Sequence, residues 1–450
     1  MSTYLLHNVT IVTAEKEAVG SIIVSDGKIA EVFYAEDEGY DYKIFKATSR
    51  CSDIQRMELD GKHVMAGGID AHVHFREPGL THKADMETES RAAAAGGVTT
   101  VMDMPNTKPA TVTEDTFMAK LALAKEKSCI NLKFHFGATN SNIEDIENIL
   151  DGKAALSPDD VMGIKVFMGS STGNMLVDEN QTLDRLFSIK RKPILVHCED
   201  EETIHSNLKT AQEQYGDNIP FREHENIRSR RACIKSSIKA LEKAISHGTK
   251  LVLCHISTKE EAEMVRAAKS NNPNIVAETS CNYLWFCNEE YDRMGSRLKC
   301  NPSVKTSSDR DALRKALAAG NIDTIGSDHA PHLLSEKEGC YTQVPSGLPS
   351  IQQSLPVLLT IAAEENIPLT RIAAVFSENA SDLYGLQTGK IQSGYAADIV
   401  IFNKDKEFIV RNEDQFSKCG WSPYEGVTLK GSIETVMVRG KIIYNDGMFA

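Results

Sequence analysis

The segment Gly68-Ile69-Asp70-Ala71-His72-Val73-His74-Phe75 decides how the rest of this chain is read. It is a short apolar run that ends in two histidines separated by one residue. On an extended strand, positions i and i+2 face the same side, so both imidazoles would point at one place. Alone the pair is a weak signal, because two packed core histidines look the same. Its weight comes from the rest of the chain. Seven more short apolar runs succeed it, at residues 99–104, 132–137, 163–168, 193–197, 250–256, 275–279 and 322–327.

Helix-start chemistry recurs between the runs. Thr111-x-x-Glu114 and Thr258-x-x-Glu261 have the spacing of a capping box. Arg314, Leu317 and Ala318 fall on a helical pattern that Gly320 can close. Eight strands alternating with helices predict an α/β fold, a closed parallel (β/α)8 TIM-type barrel. An open doubly wound sheet is the rival, but it gives no reason for polar residues at the ends of so many strands. Outside the barrel the pattern changes. Val9-Thr10-Ile11-Val12 alternates, and Ile22-Ile23-Val24 and Lys28-Ile29-Ala30-Glu31-Val32 flank Asp26-Gly27, a strong hairpin signal. Near the other end, Ala397-Asp398-Ile399-Val400-Ile401 precedes Thr435-Val436-Met437-Val438, which turns at Arg439-Gly440 into Lys441-Ile442-Ile443-Tyr444. The two β-rich ends are predicted to meet in one small β-sandwich domain. Its parts are residues 1–66 and 388–450, and the barrel is residues 67–387.

Composition sets the class. With 450 residues, 41% hydrophobic and 25% charged, the chain can bury a large core. A formal charge of −13 argues against nucleic acid or an anionic membrane as the main partner. It also means that an anionic substrate needs a dedicated cationic residue at its site. No apolar run approaches the roughly 18 residues of a membrane helix. The stretch from Met1 to Thr13 reads as a strand, not a signal peptide. The ten cysteines, Cys51 to Cys419, have no CxxC pairs and read as thiols of a reducing compartment. A cytoplasmic protein is expected.

The chemistry sits where the strands end. The fifth run ends at His197, the sixth at His255 and the eighth at Asp328. Each has a bland reading as a satisfied core histidine or a capping aspartate. Together with His72 and His74 they put four imidazoles and a carboxylate on one rim, where barrel enzymes keep their sites. That ligand set suits zinc or a similar divalent ion. The fourth run, Gly163-Ile164-Lys165-Val166-Phe167-Met168, carries a lysine inside an apolar strand. A charged lysine there is costly unless paired. It is either salt-bridged, snorkelling, or neutral and able to react with carbon dioxide to give a two-oxygen anionic carbamate. Cys198 and Cys254 neighbour two of the histidines, and strand alternation is expected to turn both thiols away from the metals.

The stretch Gly67-Gly68-Ile69-Asp70-Ala71-His72-Val73-His74-Phe75-Arg76-Glu77-Pro78-Gly79 closely resembles the opening signature of the amidohydrolase superfamily, and within it of the dihydroorotases. Asp103-Met104-Pro105-Asn106-Thr107 and Ser327-Asp328-His329-Ala330-Pro331-His332 resemble two further signatures, and the likeness runs over essentially the whole chain. The resemblance implies a zinc-dependent cyclic amidohydrolase that interconverts carbamoyl-aspartate and dihydroorotate in pyrimidine synthesis. It implies two zinc ions bridged by N6-carboxylated Lys165 and a hydroxide. His72 and His74 resemble ligands of one metal, and His197 and His255 those of the other. Asp328 resembles both a ligand and the catalytic acid/base. Arg76, Asn106, Asn301 and His332 fall where the family grips substrate, and the backbone at Ser346-Gly347 falls where it meets the ring. Three departures stand out. Ser346 replaces an aromatic common in relatives, and some dihydroorotases have aspartate where this chain has Lys165, which places it with the lysine-bridged branch shared with hydantoinases and allantoinases. Ala66 stands where proline is frequent.

Arg76 narrows the substrate. Two positions after His74, it should emerge at the same rim and hold a carboxylate bidentately. Dihydroorotate carries a carboxylate outside its scissile amide; unsubstituted hydantoins do not. The bland reading of Arg76 is a surface salt bridge with Glu77. The rivals are an allantoinase or hydantoinase, and an inactive scaffold homologue. The expected partner is a small-molecule substrate, with no nucleic acid and no membrane. A homodimer is the commonest assembly for such chains. Association with aspartate transcarbamoylase is not readable from the residues.

Overall fold

The computed structural model describes residues 3–49, 53–169 and 175–450. Met1, Ser2 and Cys51 therefore lie outside the described residues. Eight parallel strands form the central sheet: β1 (Gly68–Val73), β2 (Val98–Asp103), β3 (Asn131–Gly137), β4 (Val161–Phe167), β5 (Ile194–His197), β6 (Leu251–Leu253), β7 (Ile275–Thr279) and β8 (Thr324–Ile325). Each pairs with the next in chain order. Past the end of β8, Val73 bridges His329 in parallel, and the His74 amide donates to the His329 carbonyl at 2.8 Å. That contact closes the barrel, and it does so beside the histidines. The eight apolar runs of the sequence are these eight strands.

Helices cover the barrel for reasons visible in the sequence. Helix Met86–Ala95 starts at Asp85, whose side chain accepts from the Thr88 amide, and it buries Ala92 to Ala95. Four small side chains let its backbone lie close to the sheet, and Gly97, at φ 79°, then turns the chain into β2. Helix Lys259–Ala268 has the capping box expected from Thr258 and Glu261. Helix Ser307–Ala318 is followed by Gly320 at φ 81°. The expected cap at Thr111 is displaced: helix Glu114–Lys127 is capped by Thr113, whose partner at the third position is Thr116. A hydroxyl at position three answers as well as a carboxylate, so Glu114 is left in the first turn, where its charge suits the helix dipole.

The termini form the second body, one continuous nine-stranded sheet. Its seam is strand Ile399–Ile409 running antiparallel to His63–Ala66. Alternation sets the packing there: Val400 and Phe402 join the barrel core, whereas Ile399 and Ile401 join a separate cluster with Leu6, Ile11 and Val24. Both faces of the seam are thus buried. Asp26-Gly27 and Arg439-Gly440 make the hairpin turns read from the sequence. The nine described cysteines are all free thiols. No helix among the described residues is long and apolar enough to cross a membrane.

Candidate active site

A cavity of about 200 Å³ opens at the C-terminal ends of the barrel strands. His72, His74, Lys165, His197, His255 and Asp328 line one end of it. Arg76, Asn106, Asn301, His332, Ser346 and Gly347 line the rest, with Phe167, Ala330 and Pro345 between them. All twelve residues singled out in the sequence therefore meet in one place. None of the other eight histidines lines the cavity; His135, for example, bonds to the Ala71 carbonyl at 2.9 Å, and His224 bridges Tyr341 and the Cys300 carbonyl. The aromatic stretch Tyr283-Leu284-Trp285-Phe286 packs the outer layer: Tyr283, Leu284 and Phe286 are buried, and Phe286 stacks near Tyr424 at 4.9 Å.

At the histidine end, protons are directed outward. His72 Nδ1 meets the Glu278 carboxylate at 2.7 Å, His74 Nδ1 meets the Asn106 side-chain oxygen at 2.8 Å, and His197 Nε2 meets Glu199 at 3.0 Å. With those partners holding the ring protons, the inward nitrogens carry lone pairs. They face one another or an anion. His74 Nε2 lies 3.0 Å and His72 Nε2 3.5 Å from the Asp328 carboxylate, and His197 Nδ1 lies 3.0 Å from His255 Nε2. The His72 and His74 lone pairs repel the Asp328 carboxylate at such distances unless something positive lies among them, whereas His255, whose Nδ1 is buried without a partner, can turn either a proton or a lone pair toward His197. The ligand atoms of His72, His74 and Asp328 fall within 4.8 Å of one another. Two nitrogens on one tetrahedral zinc, each about 2.0–2.1 Å from it, would be about 3.3 Å apart. The donor set fits divalent cations.

The electrostatics agree. Burial pushes the carboxyls of Glu278 and Asp70, which lie beneath the histidines, up to about 7. Positive charge above them would relieve that cost. Burial and then Lys165 hold His72 well below the usual imidazole range. Burial raises the Asp328 carboxyl, but positive charge on the surrounding imidazoles, with a His74 proton on Nε2, outweighs it and holds the carboxyl well below its usual range; a cation among uncharged imidazoles would act in the same sense. Lys165 is fully buried on β4 and forms no ion pair among the described residues; its nearest polar partner is Cys254 Sγ at 3.5 Å. So the salt-bridge and snorkelling readings of Lys165 do not describe it.

Cys254 corrects one expectation. Cys198 does turn outward into the core, but Cys254 points inward, under Lys165. The reason is backbone: β6 ends at Leu253, and His255 has φ 38°, so the alternation of a regular strand is broken there and neighbours face the same space. Eight described non-glycine residues have positive φ, and three of them, Arg76 (65°), His255 (38°) and Asp328 (49°), line this cavity. Such conformations are costly for residues with side chains and cluster where function requires them. Gly326 supplies room beside them: a Cβ there would stand 2.6 Å from the Glu278 carboxyl carbon and 2.8 Å from His72 Cβ.

The other end is rich in donors. Arg76 is buried, at 8% exposure, yet pairs with no carboxylate among the described residues. Its Nε donates to the Pro331 carbonyl at 3.2 Å, and Nη2 lies 3.0 Å from His332 Nε2. Glu77, the bland partner, instead accepts from the Met86 amide and from Lys127. Lys83 reaches His332 Nδ1 at 3.1 Å. Lys337 is buried behind Gly347 and donates to the carbonyls of Pro345 (2.9 Å) and Gly347 (3.0 Å). Burial, then Arg76 and Lys83, drive His332 far below the usual imidazole range, so it is neutral. The Asn301 side-chain oxygen is buried without a hydrogen-bond partner. Gly347, at φ 142°, is held close: a Cβ would meet the Ala330 carbonyl at 2.4 Å.

Sequence reading missed the supporting carboxylates. Glu278 sits within the apolar run of β7, which is the same signal that singled out Lys165. Glu199 lies two residues after His197 and is buried between that histidine and Arg228. Lys83 and Lys337 carry no local signal, nor does Lys299, whose carbonyl accepts from the Gly347 amide and whose ammonium donates to the Tyr341 and Val344 carbonyls, since an isolated lysine in a loop reads as solvated surface.

Comparison with known proteins agrees with this geometry. Residues 63–443 match the amidohydrolase family. A dihydroorotase of Methanosarcina mazei is 33% identical over 438 residues, covering 94% of this chain and 90% of its own. An allantoinase of Desulfitobacterium hafniense is 30% identical over 468 residues, covering 99% of this chain and 97% of its own. Among solved structures, the L-hydantoinase (dihydropyrimidinase) of Arthrobacter aurescens superimposes with a TM-score of 0.90 at 26% identity, covering 100% of this chain and 98% of that one.

Proposed function

This chain belongs to the amidohydrolase family, and on that premise we propose that it is a dihydroorotase, interconverting N-carbamoyl-L-aspartate and (S)-dihydroorotate. That it is a cyclic amidohydrolase follows from the family and the relatives together. Which cyclic amide it takes is the proposal, and one observation carries it: a buried arginine lines the cavity with no carboxylate among the described residues to answer it. Dihydroorotate brings that carboxylate. A guanidinium binds it bidentately, and His332 stands beside it as a second donor.

On the same reading His72, His74 and Asp328 would hold one divalent cation and His197 and His255 a second, and Lys165, as its carbamate, would supply anionic oxygen ligands. Imidazole and carboxylate ligands favour zinc. When bound, such ions polarise the scissile carbonyl and make a water acidic enough to attack near neutral pH. Glu278 and Glu199 hold the imidazoles of His72 and His197 in the ligating tautomer. Asp328 moves the proton. In hydrolysis its carboxylate takes a proton from the attacking water and delivers it to the ring nitrogen as the carbon–nitrogen bond breaks. In ring closure it takes a proton from the carbamoyl nitrogen as the carbon–nitrogen bond forms and gives it to the hydroxyl of the reacting carboxyl group, which leaves as water. Arg76 and the backbone at Gly347 fix the ring so that the scissile amide meets Asp328.

The allantoinase relative, at 30% identity over nearly the whole chain, keeps a second reading in play. Turnover of dihydroorotate, allantoin and hydantoin, measured side by side on zinc-supplemented protein, separates the two. A larger kcat/KM for dihydroorotate is expected; a larger one for allantoin or hydantoin sinks the reading. The scaffold alternative predicts no bound metal and no turnover of any of the three.

A further inference from the structure

We propose that Lys83 sets the position of the proton on His332 and thereby keeps Arg76 open for the substrate's carboxylate. The proposal rests on the dihydroorotase reading for its kinetic part, but its structural part does not. A neutral imidazole has one N–H and one lone pair. Lys83 Nζ lies 3.1 Å from His332 Nδ1 and 3.1 Å from Glu336 Oε1. An ammonium paired with that carboxylate has only donors to offer, so His332 Nδ1 must be the lone pair. The proton is then on Nε2, and it donates to the Ser346 carbonyl at 3.1 Å.

Arg76 is caught by this arrangement. Its Nη2 lies 3.0 Å from His332 Nε2, but it too is only a donor, and Nε2 now carries a hydrogen. Two donors face each other across that contact. A guanidinium donor left unanswered in a buried site is costly, and an incoming carboxylate relieves it, accepting from Arg76 Nη2 and sharing with the Ser346 carbonyl the one hydrogen on His332 Nε2. Removing Lys83 reverses the logic. Glu336 Oε2 lies 3.6 Å from His332 Nδ1 and would draw a proton there. Nε2 would become a lone pair, accept from Arg76 and lose the Ser346 carbonyl. The arginine would then be occupied before substrate arrives. Lys83 is a positioning residue: it does not line the cavity, and it acts through His332.

The experiment has two readouts on the protein as purified. The first is the tautomer of His332, read from imidazole nitrogen-15 shifts in the substrate-free wild type, Lys83→Met and Lys83→Arg. The wild type and Lys83→Arg should show an unprotonated Nδ1, and Lys83→Met an unprotonated Nε2. The second is the kinetic split. In Lys83→Met the KM for dihydroorotate should rise about tenfold, the worth of one charged hydrogen bond, with kcat changed less than about twofold. Binding of dihydrouracil, the same ring without the carboxylate, should not change, and Lys83→Arg should restore the wild-type KM. A protonated Nδ1 in the wild type overturns the proposal even if Lys83→Met fails to fold. Equal losses on both ligands overturn it as well. A wild type that ignores dihydroorotate would instead count against the dihydroorotase reading, leaving the tautomer measurement to judge the role of Lys83.

Discussion

The two ends of the cavity have opposite deficits. At the histidine end, lone pairs of His72, His74 and His197 and the Asp328 carboxylate face inward, with the partnered ring protons of those three histidines directed away. At the arginine end, the Arg76 guanidinium is buried with no carboxylate partner among the described residues, and Lys83 and Lys337 add positive charge behind it. One end is built for cations and the other for an anion, about a single cavity of about 200 Å³. A ligand that satisfies both is a polar molecule with a carboxylate on one side and a reactive amide on the other. The comparison also explains why neither deficit is filled from within the fold: a carboxylate beside Arg76, or a protonated histidine beside Asp328, would stabilise the empty protein and destroy the site.

The largest expected effect comes from the histidine end, because the chemistry is there. Asp328→Asn keeps the shape of the side chain and loses its ability to accept a proton. Turnover of dihydroorotate should fall by about 10² to 10⁴, with far-UV circular dichroism unchanged. A variant within tenfold of wild type would mean that Asp328 holds the site together without moving a proton. The arginine end should give a smaller, substrate-dependent loss. Arg76→Met should lower kcat/KM for dihydroorotate by about 3 kcal/mol, roughly two orders of magnitude. Dihydrouracil, lacking the carboxylate, should lose far less. Equal losses on both would break the division between the two ends, since Arg76 would then be serving the chemistry.

The same division separates what was legible in the sequence from what was not. Strand ends carry strong local signals, so His72, His74, His197, His255 and Asp328 stood out as polar residues closing apolar runs, and Lys165 stood out as a charge inside one. Hairpins at Asp26-Gly27 and Arg439-Gly440 were legible for a similar reason, since few residues accept those turn conformations. Cys254 was misplaced because period-two reasoning assumes a regular strand, and the left-handed backbone at His255 breaks it. The cap at Thr113 was missed because a threonine at the third helical position answers the cap as glutamate does. Lys83, Lys299 and Lys337 were invisible. They meet the site only through loop geometry, and nothing in spacing distinguishes a lysine that folds back from one in water.

Glu278 tests whether the supporting carboxylates belong to the histidine end's function or only to its packing. Glu278→Gln keeps the volume but replaces the ionised acceptor opposite His72 Nδ1 with an amide. Metal affinity should drop by about ten- to a hundredfold, measured by zinc competition against a chelator, and activity should return at saturating zinc. Unchanged affinity with lowered thermal stability would reduce Glu278 to a core polar residue.

The smallest expected effect is at the arginine end and depends on pH. Burial pushes the Lys337 ammonium down to about 7, and burial and then Arg228 push Lys299 down to about 8. Both lie behind the Gly347 turn, which Lys337 holds by its carbonyl at 3.0 Å. As pH rises from about 6 to 9, their positive charge is lost and attraction for an anionic substrate weakens. KM for dihydroorotate should rise about threefold over that range, while dihydrouracil binding stays level. Lys337→Met should start with a higher KM and show a flatter profile. A general loosening of the fold at high pH would also raise KM, and the sign of the stability change separates the two. The folded chain holds the Lys337 proton less tightly than the unfolded chain, whose lysines titrate near 10.4. Between about pH 7 and that value the unfolded state binds more protons, so this residue's contribution to stability increases with pH. KM and the Lys337-dependent part of stability should therefore rise together; a rise in KM accompanied by a fall in that part would assign the effect to loosening and remove the lysines from substrate binding.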